Sequence, residues 1–325
     1  MGRILVTGAA GFIGSHVVAQ LLESGQSVVG FDNLNDAYDP RLKQWRLEQI
    51  EDHAGFTFKQ VDIADEAALA KAWGSEQFDG VINLAARAGV RQSVQDPQIY
   101  FRANVRGLLN VLTLCREKGI GKIVQASTSS LYGAHNERPF QEDADTSKPL
   151  SPYAASKGAA EMVCHSYHHL HGLEITILRY FTVYGPAGRP DMSIFRFIQW
   201  IAEERPLQLY GDGKQERDFT FVTDIARGTV AALDCPGFEI INLGGDKPYP
   251  MLEMITSIEE RLGKKAKINE GPEAPGDVRA TWADISKAGR LLNWRPETDF
   301  QHGLGVTIDW YMQERAWASQ IETIV

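Results

Sequence analysis

Short apolar runs separated by stretches of helix length constrain this chain more than any other feature. RILVTG (3–8), SVVGF (27–31), FTFKQ (56–60), GVINLA (80–85), KIVQAS (122–127) and EITILRY (174–180) follow one another through the first half. Strands that are apolar on both faces belong in a parallel sheet covered by helices on both sides. The segments between them, GFIGSHVVAQLLES and DPQIYFRANVRGLLNVLTLCREKG among them, are long enough for the right-handed crossovers such a sheet requires. The expected fold is α/β, a doubly wound parallel sheet of the Rossmann kind. After Tyr180 the alternation loosens into YGPAGRPDM and YGDGKQERDF before EIINLGG (239–245) restores a strand. A smaller second α/β domain, discontinuous in sequence, is therefore expected. Residues 1–180 with about 221–248 would form the larger unit, and about 181–220 with 249–325 the smaller. The aromatic residues of QWIAEERPLQLY are expected to fill the smaller unit's core.

Composition removes several function classes. With 33 basic and 42 acidic residues the formal charge is -9, so neither a nucleic acid nor an anionic membrane is an expected partner. The chain opens on RILVTG without a charged and apolar leader, and no later apolar run approaches membrane-spanning length. Cys115, Cys164 and Cys235 are odd in number and form no CxxC pair, which points to reduced thiols in a cytoplasmic protein. His165, His168, His169 and His171 cluster in CHSYHHLH, yet helical spacing scatters them and no HExxH occurs, so no metal is expected.

TGAAGFIG places Gly8, Gly11 and Gly14 between the first strand and the first helix. Glycine permits the tight turn and lets the main chain approach a pyrophosphate, while the helix N-terminus offers free N–H groups to it. Asp32, at the end of the second strand, can accept hydrogen bonds from the adenosine ribose hydroxyls. Its charge would repel a 2′-phosphate, so NAD is the expected cofactor rather than NADP. Asp62 and Ile63 of QVDIAD are candidates for the adenine edge.

SPYAASK starts a helix with Ser151 as N-cap and Pro152 at the first position. Tyr153 and Lys157 then lie one turn apart on one face. A phenol of ordinary pKa about 10 is a poor base at neutral pH; a neighbouring ammonium stabilises the phenolate and makes it a general base.

TGAAGFIG, LAARAGVRQS, STSSLYG, YAASK, LRYFTVYGPAGRPDM and RDFTFVTDIARG together resemble the extended short-chain dehydrogenases/reductases, and most closely the UDP-glucuronate 4-epimerases. The similarity runs over nearly the whole chain. It implies that Thr128, Tyr153 and Lys157 are catalytic, and that Phe12, Ile13, Asn33, Leu84, Ala85, Ala86 and Tyr180 join the glycines, Asp32, Asp62 and Ile63 around NAD. It further implies a UDP-sugar substrate whose C4 is inverted through a 4-keto intermediate, and a homodimer formed through a four-helix bundle.

Dehydrating relatives carry Asp-Glu directly after the threonine, and decarboxylating relatives a glutamate two positions after it; this chain has Ser129 and Ser130. Neutral hydroxyls can donate to a substrate carboxylate without repelling it. The resemblance therefore assigns Ser129, Ser130, Thr182 and Arg189 to a uronate carboxylate; Arg217 and Arg279, with Arg91, are candidates to pair with the diphosphate, Arg279 at a position where the closest relatives are expected to carry another residue. A UDP-glucose or UDP-N-acetylhexosamine 4-epimerase, a decarboxylase, and a non-catalytic NAD sensor or scaffold are the rival readings.

Overall fold

The computed structural model describes residues 2–272 and 278–323. Strands β1 (Arg3–Thr7), β2 (Ser27–Asp32), β3 (Phe56–Gln60), β4 (Gly80–Asn83), β5 (Lys122–Thr128) and β6 (Glu174–Tyr180) run through the first half. Next come β7 (Thr182–Tyr184), β8 (Pro206–Tyr210) and β9 (Glu216–Phe221), and β10 (Phe238–Leu243) returns to the first six. One sheet results, ordered β10-β6-β5-β4-β1-β2-β3, with each neighbouring pair parallel. From β1 the sheet grows one way through β2 and β3 and the other way through β4, β5 and β6. The crevice beyond the C-terminal ends of β1 and β4 is thus the switch point at which open α/β sheets hold ligands.

The strands are apolar because both faces are covered. Leu5, Val29, Ile123 and Ile175 meet Leu108, Val111 and Cys164 on one face, while Val6, Ile82, Val124 and Leu178 meet Val17, Val18, Leu21 and Ile225 on the other. The helix Pro152–His171 is started by the Ser151 hydroxyl, which accepts the Ala154 N–H at 3.2 Å, and is stopped by Gly172 at φ 68°.

The long helix expected after Asp96 is interrupted. Pro97–Phe101 and Gly107–Lys118 are α-helical, but Arg102–Arg106 forms a wider π turn. Such turns occur where a side chain must reach inward. Here Asn104 accepts the Arg87 N–H at 2.8 Å and donates to Arg87 O at 3.0 Å and to Ser156 Oγ at 2.9 Å. The loop after β4 is thereby tied to the helix that carries Tyr153.

Outside the large sheet, β9 lies between β7, parallel to it, and β11 (Pro248–Pro250), antiparallel; β8 pairs in parallel with β12 (Lys267–Gly271). Around them Phe197, Trp200, Phe219, Phe300, Trp310 and Tyr311 form a second aromatic core. Trp200 takes the expected place in it. Tyr210 does not: it is half-buried, its ring centroid 4.4 Å from the Arg91 guanidinium, because it closes a polar cavity instead. The three cysteines are buried free thiols. Among the described residues no group of three or more His, Cys, Asp and Glu could hold a metal, and no helix is long and apolar enough to cross a membrane.

Candidate active site

Two cavities meet at the switch point. The first, about 340 Å³, is lined by Gly8, Gly11, Phe12, Ile13 and Gly14 at one end and by Thr128, Ser129, Ser130, Tyr153 and Lys157 at the other. Leu84, Ala86, Tyr180, Thr182 and Arg189 also face it. The second, about 240 Å³, is lined by Arg91, Arg196, Gln208, Tyr210, Gln215 and Arg217. Thr182 and Asp191 border both.

The glycine loop leaves no space for side chains. Gly8, at φ 71°, donates its N–H to Phe31 O at 2.6 Å, and a Cβ on it would lie 2.8 Å from the Ala85 nitrogen. A Cβ on Gly14 would lie 1.9 Å from Gly8 O. The helix Phe12–Glu23 that follows has Gly11 as its N-cap, with no side chain satisfying the first N–H groups. An unblocked helix N-terminus in a cradle with glycine at its three tightest positions fits the pyrophosphate of a dinucleotide. Asp32 agrees with it: Oδ1 accepts the Leu34 N–H at 2.8 Å with the Lys43 ammonium 3.6 Å away, and Oδ2 has no hydrogen-bond partner among the described residues.

Other expected cofactor contacts lie off the cavity. Asp62 Oδ1 accepts the Ala64 N–H at 2.9 Å and Oδ2 the Arg102 guanidinium at 2.8 Å; Ile63 is packed against Gly107. Ala85 donates its N–H to Thr7 Oγ1 at 3.2 Å, directly over Gly8. Asn33 caps its own turn, accepting the Asn35 N–H at 3.1 Å.

At the other end, β5 delivers Thr128 to the sheet edge. Thr128 Oγ1 accepts the Ser130 N–H at 3.1 Å and donates to Ser130 Oγ at 3.2 Å, which turns the chain so that Ser129 and Ser130 line the cavity beside the Tyr153 phenol. Burial is the largest influence on that phenol and pushes its pKa up; the Thr128 hydrogen bond and the Arg189 charge pull it down, and Asp191 opposes them. Lys157, the cation that the sequence pattern pairs with this phenol, lines the same cavity. Lys157 is buried, its own pKa drawn down to about 8, and the charge that chiefly supports it is Glu161. One turn further along the helix, Glu161 accepts Ser127 Oγ–H at 2.5 Å and a two-pronged contact from Arg179, Nε at 3.0 Å and Nη2 at 2.7 Å.

Arg189 makes its own two-pronged contact with Asp191, Nε at 3.0 Å and Nη2 at 2.6 Å, and Nη2 also donates to Ala88 O at 3.1 Å. Burial works against its charge and Asp191 more than restores it. In the second cavity Arg196 is pulled down to about 10, by burial first and by the charge of Arg91 next. Arg279 lies elsewhere: its side chain is 65% exposed, 3.5 Å from Asp212.

Sequence reasoning missed Glu161, Asp191, Arg196 and Asn104. Glu161 follows Lys157 by four residues and Asp191 follows Arg189 by two, so both had a spacing signal. Arg196 and Asn104 sit in ordinary helical segments and had none.

The model of the NAD dependent epimerase/dehydratase family matches residues 4–244. A UDP-glucuronate 4-epimerase of Thermodesulfobacterium geofontis (strain OPF15) is 53% identical over 311 residues, 95% of this chain and 96% of that protein. The solved structure of a UDP-glucuronic acid 4-epimerase from Bacillus cereus in complex with UDP-glucuronic acid and NAD matches with a TM-score of 0.89 and 40% identity, over 96% of this chain and 99% of that one. A UDP-glucose 4-epimerase from Thermotoga maritima with UDP-glucose matches with a TM-score of 0.88 and 30% identity, again over 96% and 99%.

Proposed function

Because the chain belongs to the NAD dependent epimerase/dehydratase family, we propose that it is a UDP-sugar 4-epimerase that converts UDP-glucuronate to UDP-galacturonate. The observation that carries this reading is the single cavity in which the glycine cradle faces Thr128, Tyr153 and Lys157, with the neutral Ser129 and Ser130 beside them. NAD is held by Gly8, Gly11, Phe12, Ile13, Gly14 and Asp32, and when bound it supplies a reversible hydride acceptor for the sugar's C4. Leu84, Ala86 and Tyr180 complete its surroundings within the cavity, and Asn33, Asp62, Ile63 and Ala85 stand outside it.

Tyr153 Oη removes the C4 hydroxyl proton and returns one to the same oxygen after the ketone has turned over in the site and presented the other face of C4 for reduction. Thr128 orients the phenol, and Lys157 stabilises the phenolate. While C4 is a ketone, it lies β to the carboxylate, and carbon dioxide leaves when the C5–C6 bond aligns with the carbonyl π system. Ser129, Ser130, Thr182 and Arg189 hold the carboxylate away from that alignment. Arg91 and Arg217 pair with the diphosphate, and Arg279 lies further out.

Residues 1–180 with about 221–248 act as the NAD-binding domain, and about 181–220 with 249–325 as the nucleotide-sugar domain. Phe101, Met162 and Leu170 are exposed on the helices that flank the large sheet, Met162 at 70%, which supports a homodimer joined through a four-helix bundle. Three unpaired buried cysteines suit a cytoplasmic enzyme.

The test is to incubate the purified protein with UDP-glucuronate, without added NAD, and to separate the C4 epimers. UDP-galacturonate should form until the two balance. Turnover of UDP-glucose with none of UDP-glucuronate would overturn the uronate reading.

A further inference from the structure

Behind the catalytic tyrosine a buried ladder of charges runs on from Lys157 to Glu161 and Arg179, which the reaction as described does not use. Lys157, Glu161 and Arg179 are 2%, 8% and 3% exposed. Glu161 sits one helical turn after Lys157, on the same face. Its carboxylate ties together three elements: its own helix, β5 through Ser127, and β6 through Arg179. Arg179 Nη1 continues the ladder to Tyr132 Oη at 3.1 Å and Glu142 O at 3.0 Å.

We propose that Glu161 is a positioning residue for the epimerase reaction, supplying the counter-charge that keeps Lys157 protonated beside Tyr153 while pinning the end of β5 that presents Thr128. This rests on the function proposed above. Two buried cations stand around one carboxylate, Arg179 in two-pronged contact with it and Lys157 one helical turn before it. The Arg179 guanidinium is a much stronger base than the Lys157 amine, so a deficit of negative charge falls on the lysine.

The other groups facing this cluster cannot supply the missing charge. On the same helix, burial pushes the Cys164 thiol well above its ordinary range, so it stays neutral. From the turn after β5, Tyr132 is pushed up to about 12, chiefly by burial. From the helix before the π turn, Tyr100 faces Tyr153 edge-on and is itself raised by burial. Ser127 and Thr128 are neutral hydroxyls, and Glu142 turns its carboxylate to the Asn242 N–H. Arg189 and Asp191 act on Tyr153 as an opposed pair.

The experiment follows the Lys157 ε-carbon by NMR in the purified enzyme labelled with [6-13C]lysine, its resonance assigned by loss in Lys157→Met. In Glu161→Gln the Lys157 titration should move down by about one pH unit or more, as expected when a buried ammonium loses its partner. The alkaline limb of kcat should move with it, and Glu161→Asp should recover most of both shifts. An unshifted titration in Glu161→Gln overturns the proposal, whatever the activity does. Should that variant not fold, with Arg179 left uncompensated, Glu161→Gln/Arg179→Met is compared with Arg179→Met alone: a lower Lys157 titration in the double variant supports the proposal and an equal value overturns it. Because the titration is read without substrate, it stands even if UDP-glucuronate proves not to be turned over.

Discussion

The two cavities of the cleft are made of different material. The cofactor end is built from backbone: seven consecutive residues from Gly8 to Gly14, with no side-chain cap on the helix they start. The sugar-nucleotide end is built from charged and hydroxyl side chains drawn from distant segments, with Arg91, Thr182, Arg196 and Arg217 meeting across four elements or loops. A backbone site is compact in sequence and intolerant of any added atom. A side-chain site is dispersed, and each contributor adds a modest, separable part of the binding.

The largest effect should come from the backbone end. Gly14→Ala places a Cβ where Gly8 O lies 1.9 Å away, so the loop must deform. The variant should lose the NAD that copurifies with the parent and, with it, epimerisation. Liberating the nucleotide by denaturation and measuring it checks this, and full NAD occupancy in the variant would break the contrast.

An intermediate effect belongs to the hydroxyls where the cavities join. Ser129→Ala with Thr182→Ala should weaken UDP-glucuronate binding, each lost hydrogen bond to a charged group being worth about 1.5 to 3 kcal/mol. It should also raise the ratio of pentose product to C4 epimer, read by mass spectrometry of the sugar nucleotides. Unchanged binding and an unchanged ratio would mean that the carboxylate is held elsewhere.

The smallest effects sharpen the comparison within the dispersed end. Arg196→Met removes a buried cation that lines the cavity and should raise KM about tenfold or more with kcat nearly unchanged, the signature of a contact made equally in ground and transition states. Arg279→Ala removes an exposed cation 3.5 Å from Asp212 and should change KM less than about threefold, as for most surface pairs. Equal losses in the two variants would place Arg279 on the nucleotide after all.

By itself the sequence determined the parallel sheet, because strands buried on both faces are largely apolar: EITILRY matches the buried β6 residue for residue, and FTFKQ the half-exposed edge strand β3. It also determined the glycine loop and the Tyr153–Lys157 pair, since one tight turn or one helical turn spans each of them. It left three things to the tertiary structure. The helix after Asp96 reads as continuous from its periodicity, yet the pull of Arg87 and Ser156 on Asn104 opens a π turn in it. The tyrosine and lysine read as a private pair, yet burial weakens the lysine and Glu161 and Arg179 share its balance of charge. Arg279 reads as a partner of the diphosphate and Arg196 carries no signal, yet Arg196 is buried in a cavity wall while Arg279 stands in solvent. Periodicity and spacing are local and survive in the order of residues, whereas burial and the field of neighbouring charges exist only once segments far apart in the chain have been packed together.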